Sequence, residues 1–137
     1  MKKNVVPKKI AKLAKEKGFD LRVHHTYNQP TNSFDAFVDG DTTVNTDSFN
    51  ANSHHSNYIS APDRNQLQRW LRERHDQIHV NVFVSEHPDG CIFSVTIFEK
   101  PINKLLKEIK ISKIGVWEET YEEALDIGLF KALKLIP

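Results

Sequence analysis

The chain has 137 residues, 39% of them apolar, and a formal net charge of +1. That length suits one domain with a sizeable core, and the balanced charge excludes the strongly basic domain of a dedicated nucleic-acid binder. The only cysteine, Cys91, rules out an intrachain disulfide, and no apolar run is long enough to cross a bilayer, so the expectation is a soluble intracellular protein. The small net charge conceals an asymmetry. Residues 1–17 carry seven Lys against Glu16, residues 18–63 carry six Asp against Arg22, and the remainder holds eleven of each sign.

In chain order, residues 6–17 read as a short helix. Pro7 suits its first turn, Ile10, Leu13 and Ala14 make a narrow apolar stripe, and Gly18 followed by Phe19 forms a left-handed stop with its hydrophobic contact. Alternation of Phe19, Leu21, Val23, His25 and Tyr27 predicts a strand over 19–27. Residues 34–38 fit a short strand before the Asp39-Gly40-Asp41 turn. The following TTVNTDSFNANSHHSN, rich in Ser, Thr and Asn, reads as a long polar loop, with 45–57 a candidate contact surface.

A second helix follows Pro62. Asp63 and Gln66 make a capping box, Leu67, Trp70 and Leu71 share one arc with the stem of Arg74 beside them, and Asn65, Gln68, Arg69 and Arg72 take the opposite arc. A strand comes next, with Ile78, Val80, Val82 and Val84 on one face and His79, Asn81 and Phe83 on the other. The turn His87-Pro88-Asp89-Gly90 leads to a hairpin partner, with Cys91, Phe93, Val95 and Ile97 on one face, ending before Pro101. Residues 102–117 read two ways: Leu105, Ile109 and Ile111 support a third strand, while the first half also fits a helical turn.

The last helix is expected from the Thr120–Glu123 capping box. Tyr121, Ala124, Leu125, Gly128, Leu129, Ala132, Leu133 and Ile136 form its broad apolar face, and Gly128 signals close approach to a sheet. Ile127 and Phe130 lie outside that face, one turn apart; this second stripe is expected to be covered by other parts of the same chain, with cover by another subunit or exposure as the alternatives, and it is the candidate protein interface. The expected architecture is α+β: a small antiparallel sheet with two helices on one face, in α-β-β-β-α order over 62–136, plus an N-terminal helix and strand. It is expected as a single domain, with residues 1–60 attached to a 61–137 core.

The segment Trp70-Leu71-Arg72-Glu73-Arg74-His75 after Ala61-Pro62 precedes a β-rich middle. Tyr121-Glu-Glu-Ala-Leu125, Gly128-Leu129 and Ala132-Leu-Lys-Leu-Ile136 complete the order, and the opening helix ends in Lys15-Glu16-Lys17-Gly18-Phe19. Taken together, these pieces resemble a group of short proteins from phages and prophages of gut Bacteroidales. The resemblance spans most of the chain apart from 101–115, and it implies a phage-related origin and no catalytic role.

The chemistry narrows the field further. Seven His invite a metal, but His24 and His25 are strand neighbours facing opposite ways, and His54, His55, His75, His79 and His87 complete no helical ligand pair. In the Asp39–Asp47 run, Thr43 and Val44 stand where a calcium loop wants an oxygen ligand and a Gly. Cys91 falls on an apolar strand face, and the five Gly form no phosphate loop or dinucleotide fingerprint. Glu118, Glu119, Glu122 and Glu123 suit a helix start through the macrodipole. No enzyme, cofactor or metal site is expected.

Helix, three strands, helix is also the order of the double-stranded RNA-binding domain, but that module wants a basic start to its last helix, where this chain has Thr120-Tyr-Glu-Glu. The leading expectation is a small accessory protein acting by contact with a host or phage protein or with a second copy. The alternative is a nucleic-acid module using Asn65, Gln68, Arg69 and Arg72. No membrane partner is expected.

Overall fold

The computed structural model describes residues 4–28, 43–50, 52, 58–75, 78–87, 90–100, 104–113 and 117–137; for 28, 43–49, 85–87, 90–92, 110–113 and 117–120 the backbone alone is described. The element order is α1 (Lys8–Glu16), β1 (Val23–Asn28), β2 (Thr43–Phe49), β3 (Tyr58–Ser60), α2 (Arg64–Arg74), β4 (Ile78–His87), β5 (Gly90–Glu99), β6 (Lys104–Lys113) and α3 (Trp117–Lys134). The fold is α+β, with two antiparallel three-stranded sheets ordered β2-β1-β3 and β4-β5-β6. The chain divides into two compact units, Met1–Leu67 and Gln68–Pro137.

In the first unit, α1 ends as expected. Gly18 has φ +93°, Phe19 N–H donates to the Ala14 carbonyl at 2.9 Å and Gly18 N–H to the Lys15 carbonyl at 3.0 Å, the paired bonds of a Schellman cap. Phe19 is buried beside it in sequence, so the predicted 19–27 strand starts only at Val23: Phe19 belongs to the helix cap. Pro7 stands at the N-cap rather than inside the first turn. The buried stripe is Ile10, Ala11 and Ala14, with Leu13 half-buried at its margin.

The 42–57 stretch read as loop contains β2, which pairs antiparallel with β1 through His25 opposite Val44 and Thr26 opposite Thr43. Its Thr, Val and Phe have strand propensity, and β1 supplies the backbone partners that an isolated polar segment lacks. The predicted 34–38 strand lies outside the described residues. Asn52 fastens this unit: its Nδ2 donates to the Phe19 carbonyl at 2.9 Å, and its Oδ1 accepts from Ser60 N–H at 2.8 Å. Tyr27 is buried with its hydroxyl donating to the Val6 carbonyl at 2.8 Å. Tyr27→Phe strips a buried carbonyl of that partner and should cost about 1–2 kcal/mol in urea unfolding followed by circular dichroism. An unchanged midpoint would mean that water replaces the phenol.

The helix α2 begins with the reciprocal bonds of the predicted capping box. Gln66 N–H donates to Asp63 Oδ1 at 2.7 Å, and Asp63 N–H donates to Gln66 Oε1 at 3.1 Å. Leu67, Trp70 and Leu71 are buried on the expected arc, whereas Arg74 is exposed rather than lying along it.

The second unit is built on the β4–β5 hairpin, paired from Ile78 opposite Glu99 to His87 opposite Gly90. The turn residues Pro88 and Asp89 lie outside the described residues. The 102–117 ambiguity resolves as strand β6, which pairs with β5 and carries a bulge at Leu106, since Ile97 faces Lys107 and Phe98 faces Leu105. Ile78, Val80, Phe93, Val95 and Ile97 are buried on one face. The helix α3 packs on β4 and β5 over that face, burying Ala124, Leu125, Leu129, Ala132 and Leu133. It starts at Trp117, a turn before the predicted Thr120 cap, so Glu118 and Glu119 occupy its first turn, where the macrodipole favours carboxylates.

Candidate functional site

Two surfaces singled out from the sequence fall on described elements. The first is the polar arc of α2. Asn65, Arg69 and Arg72 are exposed as expected. Gln68 is not: it is half-buried, and its Nε2 donates to the Val80 carbonyl at 3.2 Å, so its amide seats the helix against β4. Arg69 Nε lies 4.0 Å from Glu73 Oε1 with both side chains more than half exposed, an i,i+4 pair contributing at most about 0.5 kcal/mol. Arg72 stands one turn beyond Gln68. Helix passes to strand tightly after it, with Ile78 N–H donating to the His75 carbonyl at 3.1 Å and the His75 ring set edge-on to Trp70 at 4.4 Å between centroids.

That link brings His79 into the same neighbourhood. His79 is the first β4 residue on the face away from α3, opposite Phe98, and Lys100 follows the last residue of β5. Burial holds the His79 imidazole below the ordinary histidine value, and the positive charges of Arg72 and Lys100 lower it further. The sequence alone gave no signal for this convergence, because it depends on the β4–β5 register. The rest of that face is mixed: Phe83 is 54% exposed and Leu105 50%, while Thr96 is buried on the central strand.

The second surface is on α3. Ile127 is 38% exposed, and Phe130, half-buried, has Lys134 Nζ 4.6 Å from its ring centroid. Both lie off the face seated on the sheet, as expected, but Ile127 is exposed rather than covered by another part of the chain. The 45–57 contact surface divides: residues 45–49 belong to β2, while 51 and 53–57 lie outside the described residues.

Elsewhere, no three His, Cys, Asp or Glu side chains among the described residues are grouped as a metal site requires. The residues Thr43–Asp47 of the acidic run are strand backbone. Cys91 lies on β5 opposite Glu86. In the first unit, His25 Nε2 is buried without a hydrogen-bond partner. Burial lowers its pKa, nearby positive charge including His24 adds to this, and Asp63 opposes it. No described helix is long and apolar enough to cross a membrane.

The two depressed histidines give a pH signature. Unfolding restores each to about 6.5, so the unfolded chain binds protons that the folded chain resists. Stability should therefore fall as pH drops below about 6.5, and each contribution is complete once pH passes below that histidine's folded value. Melting temperatures read from pH 7.5 down to about 5, above most carboxylate titration, should decline. The variant pair His25→Gln and His79→Gln should flatten that decline; an unaltered profile would assign it to other groups.

Against known proteins, the sequence matches no family model, no curated protein and no solved structure.

Proposed function

We propose that the chain is a small accessory protein of phage or prophage origin, working in the cytoplasm of a bacterial host and acting through protein–protein contact. The observation that carries this reading is the off-sheet surface of α3. One side of the helix is fully used by the sheet, yet Ile127 stands 38% exposed one turn from a half-buried Phe130. An apolar pair on a helix already satisfied on its other side is suited to a protein partner, either a host or phage protein or a second copy of the chain. The test is Ile127→Asp with Phe130→Asp. Circular dichroism should show a retained fold with at most about 1 kcal/mol lost, because neither side chain is fully buried. Self-association by light scattering, or capture of a partner held by the unsubstituted chain, should be lost. Unchanged assembly and unchanged partners would remove this surface from consideration.

A second reading, nucleic-acid binding, is favoured by the exposure of Arg69 and Arg72 on α2. Withdrawal of Gln68 to β4 and the pairing of Arg69 with Glu73 reduce the surface first inferred from the sequence. Fluorescence anisotropy with duplex RNA and duplex DNA at two salt concentrations decides it. Salt-sensitive binding that weakens in Arg69→Ala and Arg72→Ala supports the reading, and no binding at low salt ends it.

A further inference from the structure

We propose that β6 is the edge through which two copies of the chain join, strand against strand, about a two-fold axis at Ile109. This rests on the protein-contact reading above: it commits that reading to a second copy and gives it a surface apart from α3.

The sheet of the second unit has two edges, and they differ. At the β4 edge, Gln68 Nε2 donates to the Val80 carbonyl at 3.2 Å and Ile78 N–H donates to the His75 carbonyl at 3.1 Å. There α2 and the turn after it take up backbone groups. At the other edge, among the described residues, no strand pairs with the outer side of β6.

The same two bonds fix which β6 groups face outward. Ile78 and Val80 turn their backbone away from β5, and along an antiparallel ladder that direction alternates with each residue. Val80 stands opposite Ile97, which therefore turns towards β6, as do Val95 and Phe93. Their partners Lys107, Ile109 and Ile111 face back into the sheet. The N–H and C=O groups of Glu108 and Lys110 consequently point outward, the row of donors and acceptors that an added strand needs.

The bland explanation is that lysine protects a sheet edge from pairing, and β6 carries Lys104, Lys107, Lys110 and Lys113. It does not account for the exposed Glu108 among them, which weakens such protection. One pairing register gives Glu108 a use. A two-fold antiparallel pair must set outward residues against outward residues, so its axis falls on a residue, not between two. An axis at Glu108 sets Glu against Glu, and axes at Lys107 or Lys110 set Lys against Lys. The bulge at Leu106 disfavours axes nearer the start of the strand, and an axis at Ile111 leaves Glu108 unmatched. With the axis at Ile109, Glu108 of each copy stands opposite Lys110 of the other, Lys107 stands opposite Ile111, and no lysine of the strand faces a lysine. Each copy supplies the charge that complements the other.

The experiment reads self-association by light scattering over a concentration series, in Glu108→Lys, in Lys110→Glu and in the two combined, with circular dichroism to check that each stays folded. Each single substitution turns both symmetric pairs into like charges and should weaken association by about tenfold or more. The combined chain exchanges the signs and should regain it. An equal mixture of the two singly substituted chains should form a mixed dimer that neither forms alone. Hydrogen exchange in the unsubstituted chain is the independent measure. The amides of Glu108 and Lys110 should slow as concentration rises, while those of Lys107 and Ile109 are protected throughout.

Edge pairing that persists in Ile127→Asp with Phe130→Asp upholds this proposal and removes α3 from it. Association lost in that α3 variant, yet indifferent to both charge substitutions, overturns the edge and keeps the protein-contact reading. A monomer at every concentration overturns the edge alone where a partner is still captured, and overturns both where none is.

Discussion

Trp70→Ala should lower stability by about 3–5 kcal/mol, the largest single loss expected in this chain. Trp70 is 2% exposed, lies between the buried Leu67 and Leu71 on α2, and holds the His75 ring edge-on at 4.4 Å. Truncation leaves a cavity of indole size, and α2 cannot shift freely to fill it. The Gln68 amide ties its middle turn to the Val80 carbonyl of β4. Urea unfolding followed by circular dichroism reads the loss. Trp70→Phe keeps a ring against His75 and should recover a substantial part of it. If Trp70→Ala lost less than about 1 kcal/mol, this part of the chain would be able to collapse around the gap, and α2 would not be the fixed element described above.

What could be read in the sequence follows a physical line. The Asp63–Gln66 box, the Gly18–Phe19 cap and the β4–β5 hairpin are each specified within about ten residues of chain, so composition and spacing reveal them. Strand β2 is different. Thr43–Phe49 has little apolar alternation and becomes a strand through its pairing with β1, about twenty residues away. The beginning of α3 at Trp117 was hidden because Thr120–Glu123 offers a plausible cap inside the helix. At the candidate sites the same distinction holds. Ile127 and Phe130 were legible from the helical wheel, since the face they avoid is set by period alone. The inward turn of Gln68 depends on how helix and strand pack, which no local pattern encodes.

Gly128→Ala should destabilise the protein by about 1–3 kcal/mol, although alanine is the better helix former by about 1 kcal/mol. A Cβ at this position would fall 2.5 Å from Val95 Cγ1 and 2.6 Å from Val80 Cγ1, distances that packed carbon atoms do not tolerate. Neither methyl can withdraw easily. Val80 and Val95 are both buried, and each β-branched side chain is restricted about its first torsion. The added methyl must therefore lift α3 from the β4–β5 face or force the valines from their rotamers. A double-mutant cycle separates this account from a general intolerance of the helix. In a Val95→Ala background the 2.5 Å obstruction is gone while Val80 Cγ1 still stands 2.6 Å away, so Gly128→Ala should become less costly without becoming favourable. An equal loss in both backgrounds would mean that the glycine serves some need other than close approach. A coupling of more than about 1 kcal/mol would establish that Gly128 sets the distance between α3 and the sheet.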